Sequence, residues 1–158
     1  MRPEQFRSYS AVFPILLRSG PHGQEVLLHL RQNTGYMDGH WDFAGSGHVD
    51  ENETARQAVA RECQEELGIT VEPADAEFIH LCHRVAGGDG RTYYDLCFRI
   101  RRYEGEPAVM EPEKNAGLRW FPTDALPENV SSAVEAMLPR YLRGEAYSEV
   151  LHDCPVKD

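Results

Sequence analysis

Between residues 47 and 69 the chain reads GHVDENETARQAVARECQEELGI, and Glu53, Arg61, Glu62, Glu65 and Glu66 within it could do chemistry. Taken as a helix from Thr54 to Leu67, at ~100° per residue, Glu62 and Glu66 lie about 40° apart and Glu65 about 60° to the other side of Glu62. Three carboxylates then share one wedge of the surface with Arg61 at its edge. Val59, Cys63 and Leu67 form an apolar stripe beside it. Like charges at this spacing weaken a helix and raise the pKa of at least one of the carboxyls. A helix that had only to be solvated would alternate its charges. Clustered hard oxygen donors are what Mg²⁺ or Mn²⁺ requires, although a lone Glu-Glu pair is more often a solvated face.

The complete string narrows the choice. Gly47, five residues, Glu53, seven residues, Arg61-Glu62, an apolar residue, any residue, Glu65-Glu66, any residue, Gly68 and an apolar residue match the Nudix box position for position. Seven fixed residues at ~7% usage each coincide by chance on the order of 10⁻⁸ per start position. The chain resembles a Nudix hydrolase. The resemblance implies a mixed β-sheet between α-helices with the box as loop-helix-loop, and metal-dependent cleavage of a nucleoside diphosphate linked to another group. It implies Glu65 and Glu66 as the main metal ligands, Glu62 as ligand or general base, Arg61 orienting the carboxylates and Glu53 assisting. Gly47 would permit the loop geometry, and the carbonyl of Ser46 would be a further ligand. Arg31 would contact substrate phosphate, and a distal base could come from Glu111 or Glu113. The approach to the box, Ala44-Gly45-Ser46-Gly47, departs from the commoner proline and glycine pair and is one residue longer after Trp41.

The elements that must position these residues follow from the pattern. Ser8 to Arg18 and Glu25 to Arg31 read as a hairpin of strands, with Pro14 marking an edge or a bulge. Gln32 to His40 is a loop whose Tyr36, with Trp41, packs inward or walls a base. Thr54 starts the box helix and Gly68 ends it. Ala76 to Val85 and Arg91 to Tyr103 are strands joined by a turn at Gly87-Gly88-Asp89-Gly90, with Thr92, Tyr94, Leu96, Phe98 and Ile100 on one face. A polar loop from Glu104 to Asn115, a short strand from Leu118 to Phe121 and a helix from about Ser131 to Arg143, interrupted at Pro139, complete the order. The segment from about 144 to 158 is a tail with one strand-like stretch at Tyr147 to Leu151. The fold class is therefore α/β or α+β, in one domain over residues 1–158.

Composition sets limits. With 158 residues and a formal charge of −10, the chain is unsuited to tracking a nucleic-acid polymer or an anionic membrane surface. Its four cysteines show no CxxC spacing and read as free thiols in a reducing compartment. The expected setting is cytoplasmic, the expected partner a small nucleotide, with a homodimer left open. The substrate is reached by elimination: the downstream marks associated with ADP-ribose, dinucleoside polyphosphates or NADH are missing, since Arg84, Val85, Ala86 and Gly87 stand where a proline or tyrosine would. A nucleoside or deoxynucleoside triphosphate, cleaved to monophosphate and pyrophosphate, is favoured over ADP-ribose or another nucleotide derivative, with Tyr36, Trp41 and Tyr94 as candidates to stack a base. The rivals are a non-catalytic nucleotide-binding module, which would usually lack box residues, and an isoprenoid diphosphate isomerase, which would need a cysteine near Gly45-Ser46.

Overall fold

The computed structural model describes residues 4–85 and 90–157. In chain order the elements are β1 (Tyr9–Gly20), β2 (Gly23–Arg31), β3 (Trp41–Phe43), β4 (Gly47–His48), α1 (Ala55–Leu67), β5 (Ala76–Val85), β6 (Tyr93–Ile100), β7 (Asn115–Pro122), α2 (Ser132–Leu142), β8 (Tyr147–Leu151) and β9 (Cys154–Pro155). The strands follow the order β3-β2-β1-β6-β5-β8-β9, with β4 paired to β1 and β7 to β2. β1 runs parallel to β6 and antiparallel to β2, so the sheet is mixed. Most of the expected turn at Gly87-Gly88-Asp89-Gly90 lies outside the described residues. Among the described residues no helix is long and apolar enough to cross a membrane.

The sheet is covered on both sides, and β1 shows how the sequence specifies this. Residues 11–17 are all buried, yet they alternate between two cores. Ala11, Phe13, Ile15 and Leu17 pack with Val134, Met137 and Leu138 of α2, while Val12 and Leu16 pack with Val59, Cys63 and Leu67 of α1. The continuous apolar run is what burial on both faces of a strand demands.

Pro14 does not mark an edge strand as its type suggested. One side of β1 pairs β6 from Tyr9 to Leu16, and the other pairs β4 at Ala11 and Val12, then β2 from Leu17 onward. The missing N–H of proline is tolerated because that second side has no partner between Val12 and Leu17. The expected face of β6 is also corrected. Tyr93, Asp95 and Cys97 are buried as Phe98 and Ile100 are, because α2 and α1 cover opposite faces; Tyr94 is exposed. Pro139 lies within α2 without ending it. It sits on the exposed face, as does Glu135, whose carbonyl loses its usual partner there and can be solvated. The segment expected as a tail joins the sheet, with β8 parallel to β5. His80 anchors that junction, pairing its ring nitrogens with the Glu145 carbonyl at 2.9 Å and Ser148 Oγ at 2.7 Å.

Candidate active site

The box helix is built as its sequence prescribes. Thr54 caps α1 through a reciprocal capping box with Gln57, which satisfies two otherwise orphaned N–H groups. Gly68 closes it at φ 67°, and its N–H bonds the Gln64 carbonyl at 3.1 Å. The loop before β7 braces this end, since Ala108 N–H bonds the Leu67 carbonyl at 3.0 Å and Met110 N–H that of Glu66 at 3.3 Å. The same loop brings Glu111 toward Glu66.

Arg61 organises the carboxylates around it. Its Nε donates to Glu53 Oε2 at 3.1 Å and its Nη2 to Glu53 Oε1 at 2.6 Å and to the His48 carbonyl at 2.9 Å. Nη1 reaches Glu62 Oε1 at 2.8 Å and Glu65 Oε2 at 3.3 Å. Hydrogen bonding to Glu53 and Glu62 raises the Arg61 pKa further, and Arg61 in turn holds the Glu53 carboxyl below its usual range. Glu53 also accepts from Asp50 N–H at 2.7 Å, so it ties the loop ahead of the helix to Arg61. Gly47 is required by close approach: a Cβ there would overlap the Glu62 carboxylate.

The three helical glutamates are not equivalent. Glu65 is exposed. Glu62 is only 8% exposed, and burial raises its pKa against the pull of Arg61. Among the described residues Glu66 has no such counter-charge at bonding distance. Burial, then Glu62 and Glu111, push its carboxyl up to about 8. This is a local excess of negative potential on hard oxygen donors, so the donor set fits a divalent cation. Among the described residues, however, no three His, Cys, Asp or Glu side chains converge as a closed metal cage.

Two adjoining cavities open beside this helix. One, of about 220 Å³, is lined by Glu66 and Glu111 together with His29, Arg31, Thr34, Ser46, Lys114 and Asn115. The other, of about 180 Å³, is lined by Tyr36, Asp42, His48, Arg84 and Tyr93 among others. Arg31 and Ser46 border both. Each alone is smaller than the ~300 Å³ at which sites for drug-sized ligands begin, so one extended ligand would span the two lobes. Arg31 is held by three acceptors, donating through Nε to the Tyr36 carbonyl at 2.8 Å, through Nη1 to Asp42 Oδ2 at 3.2 Å and through Nη2 to Thr34 Oγ1 at 3.1 Å. It therefore fixes the 32–40 loop and the wall common to both lobes.

Of the residues expected to touch substrate, Arg31 lines the cavity with Glu66, as does Ser46, the expected carbonyl ligand, and Tyr36 lines the adjoining cavity. Trp41 and Tyr94 do neither. The Trp41 ring packs edge-on against Phe121 at 4.8 Å, and Tyr94 stacks on His83 at 4.6 Å at an exposed position on the face of β6 opposite to Tyr93; neither lines either of these two cavities. Glu111 lines the glutamate lobe and Glu113 does not. Sequence reasoning did not single out His29, Asp42, Tyr93, Asp95 or Lys114, and used Arg84 only as a position lacking a proline. The signal for Asp95 was that it is the one acidic residue of β6, set between apolar neighbours.

With this geometry in place, the comparisons are specific. The NUDIX domain family model matches residues 9–141. The chain belongs to the Nudix family. It is similar to the MutT Nudix hydrolase of Burkholderia pseudomallei, at 27% identity and a TM-score of 0.74 over 88% of this chain and 98% of that one. It is 33% identical over 108 residues to an oxidized purine nucleoside triphosphate hydrolase of Danio rerio, covering 65% of this chain and 61% of that protein. Over 46 residues it is 46% identical to an 8-oxo-dGTP diphosphatase of Proteus vulgaris, covering 29% of this chain and 40% of that protein. The match thus spans less than two thirds of either relative. The mixed sheet between two helices is the α+β Nudix fold.

Proposed function

We propose that this Nudix chain is a divalent-metal-dependent pyrophosphohydrolase, cleaving a nucleoside or deoxynucleoside triphosphate to the monophosphate and pyrophosphate. The observation that carries the reading is the two-lobed cleft, with carboxylates in one lobe and aromatic, hydrogen-bonding groups in the other. The reading is supported by the names of two relatives, an oxidized purine nucleoside triphosphate hydrolase of Danio rerio and an 8-oxo-dGTP diphosphatase of Proteus vulgaris.

Glu66, Glu62 and Glu65, with the Ser46 carbonyl, would hold Mg²⁺ or Mn²⁺, which when bound neutralises phosphate charge and lowers the pKa of water. Arg61 ties Glu62 and the exposed Glu65 to one guanidinium group and so orients them. Arg31 and Lys114 offer positive charge to phosphate oxygens in the glutamate lobe. Glu111 faces that lobe from a separate loop and is placed to accept a proton from an attacking water, as Glu62 is from the helix. Tyr36 supplies a π-face to a base in the second lobe, beside Tyr93, whose own ring is covered by Arg84 and His48.

The test is a panel of canonical and oxidised triphosphates, ADP-ribose, NADH and dinucleoside polyphosphates, assayed with Mg²⁺, with Mn²⁺ and with EDTA. Pyrophosphate release from triphosphates that EDTA abolishes is the expected result. No metal-dependent turnover across the panel would leave the chain as a nucleotide-binding module, and ADP-ribose ranking first in kcat/KM would replace the substrate.

A further inference from the structure

The lobe without glutamates contains a charged group that the proposed chemistry does not use. Arg84 on β5 is 7% exposed and Asp95 on β6 is fully buried. Arg84 Nε donates to Asp95 Oδ2 at 2.8 Å and Nη2 to Oδ1 at 3.1 Å. Burial alone would lower the Arg84 pKa; bonding to Asp95 outweighs it. The guanidinium carbon lies 4.1 Å from the Tyr93 ring centre and 5.7 Å from that of Tyr36. Asp95 takes only one edge of the fork. Among the described residues Nη1 has no hydrogen-bond partner, although Arg84 lines the cavity. Nη1 is not sealed in the core, so this corner of the fork is open to the cavity, where an acceptor can reach it.

The charge balance of this lobe limits what can satisfy Nη1. Asp95 already neutralises Arg84. Asp42 is similarly committed, accepting from Arg31, from Ser131 Oγ at 2.9 Å and from Phe43 N–H at 2.8 Å. A second anion is therefore not required; a neutral acceptor on a flat ring is. The geometry points to Arg84 as a specificity-determining residue that reads a carbonyl oxygen on a nucleobase held beside Tyr36 and Tyr93. Bases bearing such an oxygen, guanine, 8-oxoguanine, cytosine and thymine, are taken over adenine. Adenine places an amino donor where guanine has O6, and donor then meets donor. This inference rests on the nucleotide reading of the cleft.

The experiment measures binding of dGMP, dCMP, dTMP, dAMP and deoxyribose 5-phosphate to the full chain with Mg²⁺ by calorimetry, for the wild type, Arg84→Lys and the double variant Arg84→Met/Asp95→Leu. The wild type is expected to hold the oxo-bearing nucleotides roughly ten-fold or more tighter than dAMP, the discrimination usual for an arginine reading a base edge. In both variants the ratio falls toward one while affinity for deoxyribose 5-phosphate is kept. The double variant leaves no unpaired buried charge, so it serves if Arg84→Lys does not fold. A ratio near one in the wild type, or a ratio preserved in either folded variant, overturns the inference; if neither variant folds, the wild-type ratio decides. Triphosphate turnover is scored separately. Base discrimination without turnover leaves Arg84 as the reader and refutes the hydrolase reading, and turnover without discrimination does the reverse.

Discussion

Replacing Glu66 by glutamine separates the electrostatics of the site from its catalysis. In the metal-free protein the Glu66 carboxyl is pushed up to about 8, from an ordinary 4.5, by burial and by Glu62 and Glu111. The folded state therefore binds this proton more tightly than the unfolded chain. The stabilisation is fully present below about pH 4.5 and is lost as pH rises through about 8. The full displacement corresponds to about 5 kcal/mol. Glu66 is only partly buried by exposed area, so side-chain relaxation into water reduces this to ~2 kcal/mol, the usual cost of a buried group without a partner. Urea unfolding in EDTA at pH 5 and pH 9 measures it. Between these two pH values the wild type should lose ~2 kcal/mol more than Glu66→Gln. Mg²⁺ or Mn²⁺ at pH 9 should restore the wild type and leave the variant nearly unchanged. Parallel pH dependence in the two proteins would refute the reasoning, because Glu66 would then carry no unbalanced charge.

Two further substitutions test the geometry. Gly47→Ala should lower kcat/KM by about 10²-fold while circular dichroism stays native, since the added methyl must displace the Glu62 carboxylate and a ~1 Å misplacement has that cost; near-native turnover would show that Glu62 can move freely. Tyr36→Ala should raise KM about ten-fold through lost base stacking, whereas Tyr94→Ala should leave KM within about two-fold; the opposite ranking in steady-state kinetics would place the base on the other face of the sheet.

What could be read from the sequence was local. The box helix, its start at Thr54 and its end at Gly68 depend on residues a few positions apart, and the hairpins depend on alternation and turns. Glu66 stood out because it occupies a motif position, and Arg31 because the resemblance pointed to an arginine at that strand end. The aromatic lobe was not, because its walls come from β1, β3, β5, β6, the 32–40 loop and α2. Tyr93 and Tyr94 differ in the chain only by parity, and both faces of β6 carry apolar residues, so alternation alone could not say which tyrosine faced the cavity. The register of Arg84 against Tyr93, with Asp95 opposite Cys82, decides it, and that register depends on pairing between strands. Short strands such as β4, two residues long, exist only because β1 offers a partner.

The two lobes divide the work by charge. In the aromatic lobe Arg31 is matched by Asp42 and Arg84 by Asp95, so the walls are locally neutral and reward shape and hydrogen bonding. In the glutamate lobe Glu66 is not matched at bonding distance, and its raised pKa expresses that imbalance. A bound cation would relieve it, and under the proposed function phosphate oxygens would follow the cation, even on a chain whose net charge of −10 would otherwise repel a nucleotide. Under the proposed function, recognition of the base would survive metal removal, while recognition of the phosphates would not. Arg31, bonded to the 32–40 loop on one side and to Asp42 on the other, borders both regions and couples them.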